Sequence, residues 1–241
     1  MLWSPPEAPF DAARREKVDA ARRRLVQASA HQRAALATSL QAEDQVLTHL
    51  IAEAGLSIEI FALETGRLHA ETLAAMAATE ARYGLAIARV RPDPAAVAAY
   101  VKSDGENGFY DALDSRLRCC AIRKVEPLKR ALAGRGAWVT GQRREQAQGR
   151  QSLVFEENDD AHGLAKFNPL ADWSLADVWA AVRAFDIPVN PLAARGYASI
   201  GCEPCTRAIR TGEDVRAGRW WWESSTSKEC GLHVAPAGAP A

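Results

Sequence analysis

The chain has 241 residues, 48% of them hydrophobic and 25% charged, with 30 Lys and Arg balanced by 30 Asp and Glu. Such a composition belongs to a soluble globular protein of one large domain, or one domain with an appendage. Zero formal charge excludes whole-protein attraction to nucleic acid or to an acidic membrane, and no apolar run of about 18 residues is present to cross a bilayer.

The N-terminal stretch MLWSPPEAPFDAARREK lacks the basic head and apolar run of a secretory signal, so the expected location is the cytoplasm. Residues 11–29, rich in Ala, Arg and Leu, predict a helix. RAALATSL (33–40) predicts a buried strand, and AEDQVLTHLIAEAG a helix stopped by Gly55. LSIEIFAL (56–63) predicts a second strand, RLHAETLAAMAATEARYG a helix ended by Gly84, and LAIARV a third strand. Residues 110–133 predict one helix, kinked or broken at Pro127, and GAWVTG (136–141) a short strand. WSLADVWAAVRAFDIP predicts a capped helix, with Ser174 as N-cap and Asp177 three residues on. After Pro191 the chain is loop-rich and carries three of the five cysteines, and APAGAPA closes it as a frayed tail.

Strands alternating with helices predict an α/β fold: a mainly parallel sheet with helices on both faces. Ligands bind such sheets in the loops at the carboxyl ends of the strands. Those loops are 39–44, 63–69 and 140–146. The expected organisation is a single α/β domain over residues 1–215 and a C-terminal tail over 216–241.

Four cysteines form two pairs, Cys119 with Cys120 in RCCAIRK and Cys202 with Cys205 in GCEPC. A reducing cytoplasm and an odd count both disfavour a disulfide framework. A shared metal site is the better reading, zinc or iron. Adjacent cysteines reach two irons of a four-iron cluster more readily than they share one zinc ion. The competing reading makes Cys119 and Cys120 small core residues and leaves Cys202 and Cys205 as a redox pair.

The fifth, Cys230, stands in RAGRWWWESSTSKECGLH among Arg216, Arg219, Lys228 and His233. Cations lower a thiol's pKa, and the thiolate is the nucleophile. Arg and Lys also match phosphate and sulfate oxygens. A thiol beside anion-binding groups points to attack on an anionic substrate, whereas an isolated near-terminal cysteine would be a surface thiol. Trp220, Trp221 and Trp222 are expected to pack the tail against the body. Arg123 and Lys124 follow the first cysteine pair. Arg143 and Arg144 in TGQRRE, and Thr65, Gly66 and Arg67 in LETGRLH, fall at strand ends where a ligand loop is expected.

Eight stretches in order carry a family resemblance: SLQAEDQVL, LETGRLHAET, CCAIRKVEPLKRAL, WVTGQRREQ, KFNPLADWSLADVW, YASIGCEPCTRAI, RAGRWWW and KECGLH. Over residues 33–233 the chain resembles the assimilatory adenylyl-sulfate reductases, the cluster-containing branch of the sulfonucleotide reductases. The resemblance implies an adenine-nucleotide alpha-hydrolase-like fold. It implies a [4Fe-4S] cluster on Cys119, Cys120, Cys202 and Cys205, and Cys230 as the nucleophile. It implies reduction of adenosine 5′-phosphosulfate to sulfite and AMP through an S-sulfocysteine, with thioredoxin or a glutaredoxin-like dithiol protein as donor. Ser39, Thr65, Gly66, Arg67, Lys124, Arg143, Arg216, Arg219 and His233 are the expected substrate-binding residues, with Lys124 between cluster and substrate. The loop Ser39–Asp44 departs from the family pattern at Gln41, where relatives have Gly or a small residue, so that Gln41 either points to solvent or reshapes the pocket. Three alternatives stay open: reduction of the 3′-phosphorylated nucleotide, acceptance of both nucleotides, and a zinc-stabilised nucleotide-binding module without turnover. Neither nucleic acid nor membrane is an expected partner, and the sequence leaves oligomeric state open, homo-oligomers included.

Overall fold

The computed structural model describes residues 1–223 and 231–232. Lys228, Cys230 and His233 lie outside the described residues. Strand β1 (Ala35–Thr38) sits mid-sheet, paired in parallel with β2 (Glu59–Leu63) on one side and β4 (Ala137–Val139) on the other. Outward from β2 lies β3 (Ile87–Val90), and outward from β4 lies β6 (Leu164–Phe167), both parallel. The last strand, β5 (Glu156–Asp159), pairs antiparallel with β6, so the order among the described residues is β3-β2-β1-β4-β6-β5. The sheet is therefore mainly parallel, as the alternation of elements predicts. The acidic stretch EEND of β5 occupies an edge, where charge discourages pairing with another chain.

Alternation along the strands builds two cores. Leu36, Ile60, Ala137 and Val139 face a cluster with Leu25, Leu47, Phe167 and Trp173. Ala35, Phe61 and Trp138 face a second cluster with Leu128 and Leu132. Helix α1 (Ala12–Ser29) and α2 (Ala42–Glu53) contribute to the first. Helix α3 (Ala70–Tyr83) ends on Gly84 at φ 62°, a left-handed position that glycine takes without strain.

Three elements escape the periodicity argument. Helix α4 (Pro94–Asp104) is capped by Asp93, whose side chain accepts from the Ala95 N–H. Strands β5 and β6 are short, and β5 has no apolar residue to mark it. The helix expected over 110–133 is divided. A 3-10 turn (Gly108–Tyr110) precedes α5 (Leu113–Cys120), a π turn (Ala121–Val125) and α6 (Glu126–Leu132). The Glu126 N–H reaches back five residues to the Ala121 carbonyl. Pro127 has no N–H to give to a regular helix, and a wide turn just before it absorbs the misfit without a break.

Helix α7 (Leu175–Ala184) carries the predicted capping box of Ser174 and Asp177. The Asp177 carboxylate also pairs with Arg14 at 3.0 Å and Lys17 at 2.6 Å, tying α1 to α7. Burial would raise its pKa, but the Lys17 and Ser174 hydrogen bonds hold it below the ordinary aspartate value. A depressed native pKa adds stability above the unfolded value, and that stability is lost as pH falls through the native one. Asp177→Ala is therefore expected to cost about 2 kcal/mol at neutral pH. The difference from wild type in urea denaturation should shrink progressively below about pH 4.

Candidate active site

From β1 the chain passes to β2 on one side, and β4 later takes the other side. This opens a crevice at the carboxyl ends, the place where such sheets bind ligands. A cavity of ≈ 240 Å³ fills it. One side is apolar: Ala37, Phe61, Leu63, Leu128, Trp138 and Leu232. Cations line the cavity as well: Lys124, Arg143, Arg150, Arg216 and Arg219. Between them come Thr38, Ser39, Gln41, Asp44 and Thr140 from the ends of β1 and β4.

The loop after β1 turns through Leu40 at φ 61°, a left-handed position unusual for a branched side chain. Asp44 holds the turn. Its Oδ2 accepts from the Ser39 N–H at 2.6 Å and the Ser39 hydroxyl at 2.5 Å. Burial pushes the Asp44 carboxyl up to about 6, against the downward pull of the Ser39 hydrogen bonds. Gln41 does not point to solvent. Its Oε1 accepts from the Ile200 N–H at 2.8 Å and its Nε2 donates to Ser39 Oγ at 3.2 Å. The residue that departs from the family pattern thus fastens the β1 loop to the segment leading into Cys202.

Several expected substrate-binding residues take other partners. Arg143 lines the cavity but is only 3% exposed, and its Nε and Nη2 both donate to Glu43 Oε1 at 3.0 and 2.9 Å. The pair braces α2 against the β4 loop. Arg67 reaches Glu106 and Asn107 and lies over Phe109. Neither Arg67 nor Gly66 lines the larger cavity; Arg67 lines the cysteine site instead. Gly66 adopts φ 72°, and a Cβ there would meet Arg123 Nη1 at 3.4 Å. Ser39, Thr65, Lys124, Arg216 and Arg219 do line the larger cavity.

The four paired cysteines come together. Cys119, Cys120, Cys202 and Cys205 line one small cavity with Phe109, Pro204 and four cations: Arg67, Arg116, Arg123 and Lys124. The π turn contributes to this, because residues four and five apart on a wide turn share a side. Thr65 Oγ1 stands 3.3 Å from Cys202 Sγ, and Arg123 Nη1 donates to the Thr65 carbonyl at 2.7 Å. The Glu203 N–H donates to the Arg67 carbonyl at 2.8 Å. Burial would raise the Cys202 thiol, but Lys124, Thr65, Arg219 and Arg123 bring it below its ordinary value. Cys205 is pushed up to about 12 by burial, with Cys202 adding to the rise. Burial also raises Cys119.

Thiolates so grouped repel one another, and a bound cation or iron cluster relieves that repulsion. Among the described residues, no three His, Cys, Asp or Glu side chains converge on a position for one metal ion. The cavity measures only ≈ 20 Å³. The fit of a cluster therefore rests on the donor set, four thiols ringed by cations, and not on vacant space.

Two residues line both cavities, Lys124 and Cys202. Sequence reasoning passed over Arg116, which is 1% exposed, pairs with Glu223 at 2.8 and 2.9 Å, and lies over the Trp220 ring. Trp220 is buried beside the cysteines, so the tryptophan run does anchor the start of the tail, while Trp221 is 39% exposed. The expected nucleophile, Cys230, and His233 are outside the described residues. Gly231 sits near Val125, and Leu232 packs at the apolar side of the larger cavity.

Residues 33–208 match the model of the phosphoadenosine phosphosulfate reductase domain. The chain is 58% identical over 223 residues to an adenosine 5′-phosphosulfate reductase of Burkholderia cepacia, covering 92% of this chain and 88% of that one. It is 50% identical to the protein of the same name from Neisseria meningitidis, over 96% and 97% of the two chains. Its fold is similar to a phosphoadenylyl-sulfate reductase of Candida auris in a phosphate complex. That match has a TM-score of 0.68 and 22% identity, over 84% of this chain and 100% of that chain. An FMN adenylyltransferase of Candida glabrata in complex with ATP matches with a TM-score of 0.57 and 17% identity, over 82% and 65%. No helix among the described residues is long and apolar enough to cross a membrane.

Gly201 offers a test of the cationic side. A Cβ there would stand 2.6 Å from Arg219 Nη2, and Arg219 donates to Ser199 Oγ at 3.3 Å and the Ile200 carbonyl at 3.4 Å. The guanidinium is buried and lies over the Trp220 ring, so the added methyl group displaces it at a cost to the fold. Gly201→Ala is expected to lower the urea midpoint and to weaken AMP binding by about tenfold or more. Isothermal titration beside urea denaturation reads both.

Proposed function

The chain belongs to the phosphoadenosine phosphosulfate reductase family, and from that premise we propose that it reduces adenosine 5′-phosphosulfate to sulfite and AMP. The observation that carries the reading is the shared wall. A nucleotide-sized cavity abuts a four-cysteine cavity, and Lys124 and Cys202 belong to both. The substrate is a mixed anhydride with negative charge on phosphate and sulfate. An anionic nucleophile approaches it only where cations offset the repulsion and stabilise the leaving phosphate. Lys124, Arg143, Arg150, Arg216 and Arg219 line the cavity, and Lys124, Arg216 and Arg219 are proposed for that role.

In the proposed reaction the Cys230 thiolate attacks the sulfuryl sulfur. The sulfur–oxygen bond to phosphate breaks, its electron pair stays on AMP, and Cys230 carries an S-sulfonate. A thiolate of a dithiol protein, thioredoxin or a glutaredoxin-like donor, then attacks the Cys230 sulfur. Sulfite leaves with the electron pair of the S–S bond. The donor's second thiol resolves the mixed disulfide, so two electrons pass from dithiol to substrate sulfur and Cys230 returns as thiol. The location of Leu232 in the cavity wall, two residues after Cys230 in sequence, supports this assignment.

Cys119, Cys120, Cys202 and Cys205 would hold a four-iron cluster. When bound it supplies cationic iron that neutralises the grouped thiolates and ties the loop at 202–205 to the end of α5. The dithiol protein supplies both electrons. Lys124, Thr65 and Arg123 hold the Cys202 side of this site against the nucleotide cavity.

Cys230→Ser and Cys202→Ala separate the two kinds of cysteine. Cys230→Ser is expected to lose all thioredoxin-driven sulfite release while retaining iron, visible absorption and AMP affinity. Cys202→Ala should lose iron and sulfide on purification. Sulfite formation by Cys230→Ser, or a full iron complement in Cys202→Ala, overturns the corresponding assignment.

A further inference from the structure

The tryptophan run that opens the tail is buried on one side only. Trp220 is 1% exposed, but Trp221 is 39% exposed and Tyr110, at the end of the 3-10 turn before α5, is 40% exposed. Their rings form one cluster. Tyr110 lies 6.1 Å from Trp221 and 4.4 Å from Trp222, and Trp221 lies 4.8 Å from Trp222. The cluster is fixed to the cysteine site. The Tyr110 hydroxyl donates to the Pro204 carbonyl at 2.6 Å, and Arg116, which lines that site, pairs with Glu223, the residue after Trp222. Helix α5, which follows the turn, exposes Leu113 and Leu117, four residues apart and hence on one side of the helix. Four of the nine large apolar side chains exposed among the described residues thus belong to this turn, helix and run. Such a concentration marks an interaction surface, as single scattered side chains do not.

Chain length says what comes to this surface. Seven residues lead from Glu223 to Cys230, and seven residues span at most about 25 Å. Leu232, two residues past Cys230, packs at the apolar side of the nucleotide cavity. Cys230 is thereby tethered by sequence to the aromatic cluster on one side and to the cavity on the other. A small folded domain is about 30 Å across, so one seated on Tyr110 and Trp221 has Cys230 within reach. We infer that Tyr110, Trp221, Leu113 and Leu117 form the docking surface for a dithiol protein of the thioredoxin class. The inference rests on the proposed S-sulfonate on Cys230 and adds the surface from which its sulfur is attacked.

The chemistry of the surface fits that partner. The donor thiolate attacks the Cys230 sulfur, a disulfide forms between the two proteins, and sulfite leaves with the electron pair of the sulfur–sulfur bond. The S-sulfonate is an anion, so a partner that offers its cysteine from an uncharged apolar face approaches it without added repulsion. Tyr and Trp are the side chains that most often anchor protein interfaces, because they bring large contact area at low entropic cost. The surface is also small. Two aromatic and two aliphatic side chains suit the low end of interface sizes, the range of redox encounters that part after each turnover. A small charged thiol such as glutathione has little apolar area to bury against it and gains nothing from it.

The test uses iron-loaded wild type, Trp221→Ala and Leu117→Gln. The second variant lies on α5, so the inference does not depend on one substitution in the tryptophan run. Sulfite release is measured against thioredoxin concentration and, separately, with dithiothreitol, while iron content and urea midpoints certify that each variant is folded. Trp221→Ala is expected to raise the KM for thioredoxin about tenfold or more, and Leu117→Gln about threefold or more. Three quantities should stay within about twofold of wild type: turnover with dithiothreitol, the KM for the nucleotide phosphosulfate, and the S-sulfonate that accumulates on Cys230 without donor, read by mass spectrometry. A KM for thioredoxin unchanged within about twofold in both variants overturns the inference, and so does turnover with dithiothreitol reduced as much as turnover with thioredoxin. Absence of an S-sulfonate on wild-type Cys230 overturns the proposed reaction instead, while thioredoxin binding by wild type and Trp221→Ala remains measurable by calorimetry.

Discussion

Two anionic groups must be held against one set of buried cations. Four cysteines crowd one cavity and an anionic nucleotide suits the other, and Lys124 stands in the wall between them. Coulomb energies at such separations are several-fold larger inside a protein than in water. Cations offset both loads, and Lys124 lines both cavities. Lys124 is the leading electrostatic contribution that lowers the Cys202 thiol against the effect of burial.

The fold supplies this arrangement by cross-linking loops that are distant in sequence. The β2 loop meets the cysteine loop through Thr65 with Cys202 and the Arg67 carbonyl with Glu203. Gln41 carries the β1 loop to Ile200. Arg143 joins α2 to the β4 loop through Glu43. The π turn lets Cys119, Cys120, Arg123 and Lys124 line one cavity without breaking the helix ahead of Pro127. These contacts tie the strand-end loops to one another, and charge held in place beforehand acts without reorganising during reaction.

Much of this was legible in residue order. The strands with apolar runs, the Ser174–Asp177 cap and the grouping of CC with CEPC follow from local pattern and spacing, and the matched family is the one that the motifs resemble. What was not legible was partner choice. A sequence shows the charges of Arg143 and Arg67 but not the Glu43 and Glu106 carboxylates that they pair with. Arg116 gave no signal in the sequence because its partner Glu223 lies 107 residues away. The β5 strand was invisible because an acidic edge strand has no apolar alternation. Gln41 looked like a defect in a glycine-favouring loop, and its bond to the Ile200 N–H depends on a contact 159 residues distant.

The coupling through Lys124 is open to a direct measurement. Iron-loaded wild type and Lys124→Gln are titrated with AMP while the visible absorption of the protein is followed, and AMP affinity is measured independently by calorimetry. The expected result is a nucleotide-dependent spectral change in wild type, its loss in the variant, and AMP affinity lowered by about tenfold or more. A spectrum indifferent to AMP in wild type, or a Lys124→Gln protein that retains both the spectral response and the affinity, would show that the two cavities do not share their charge.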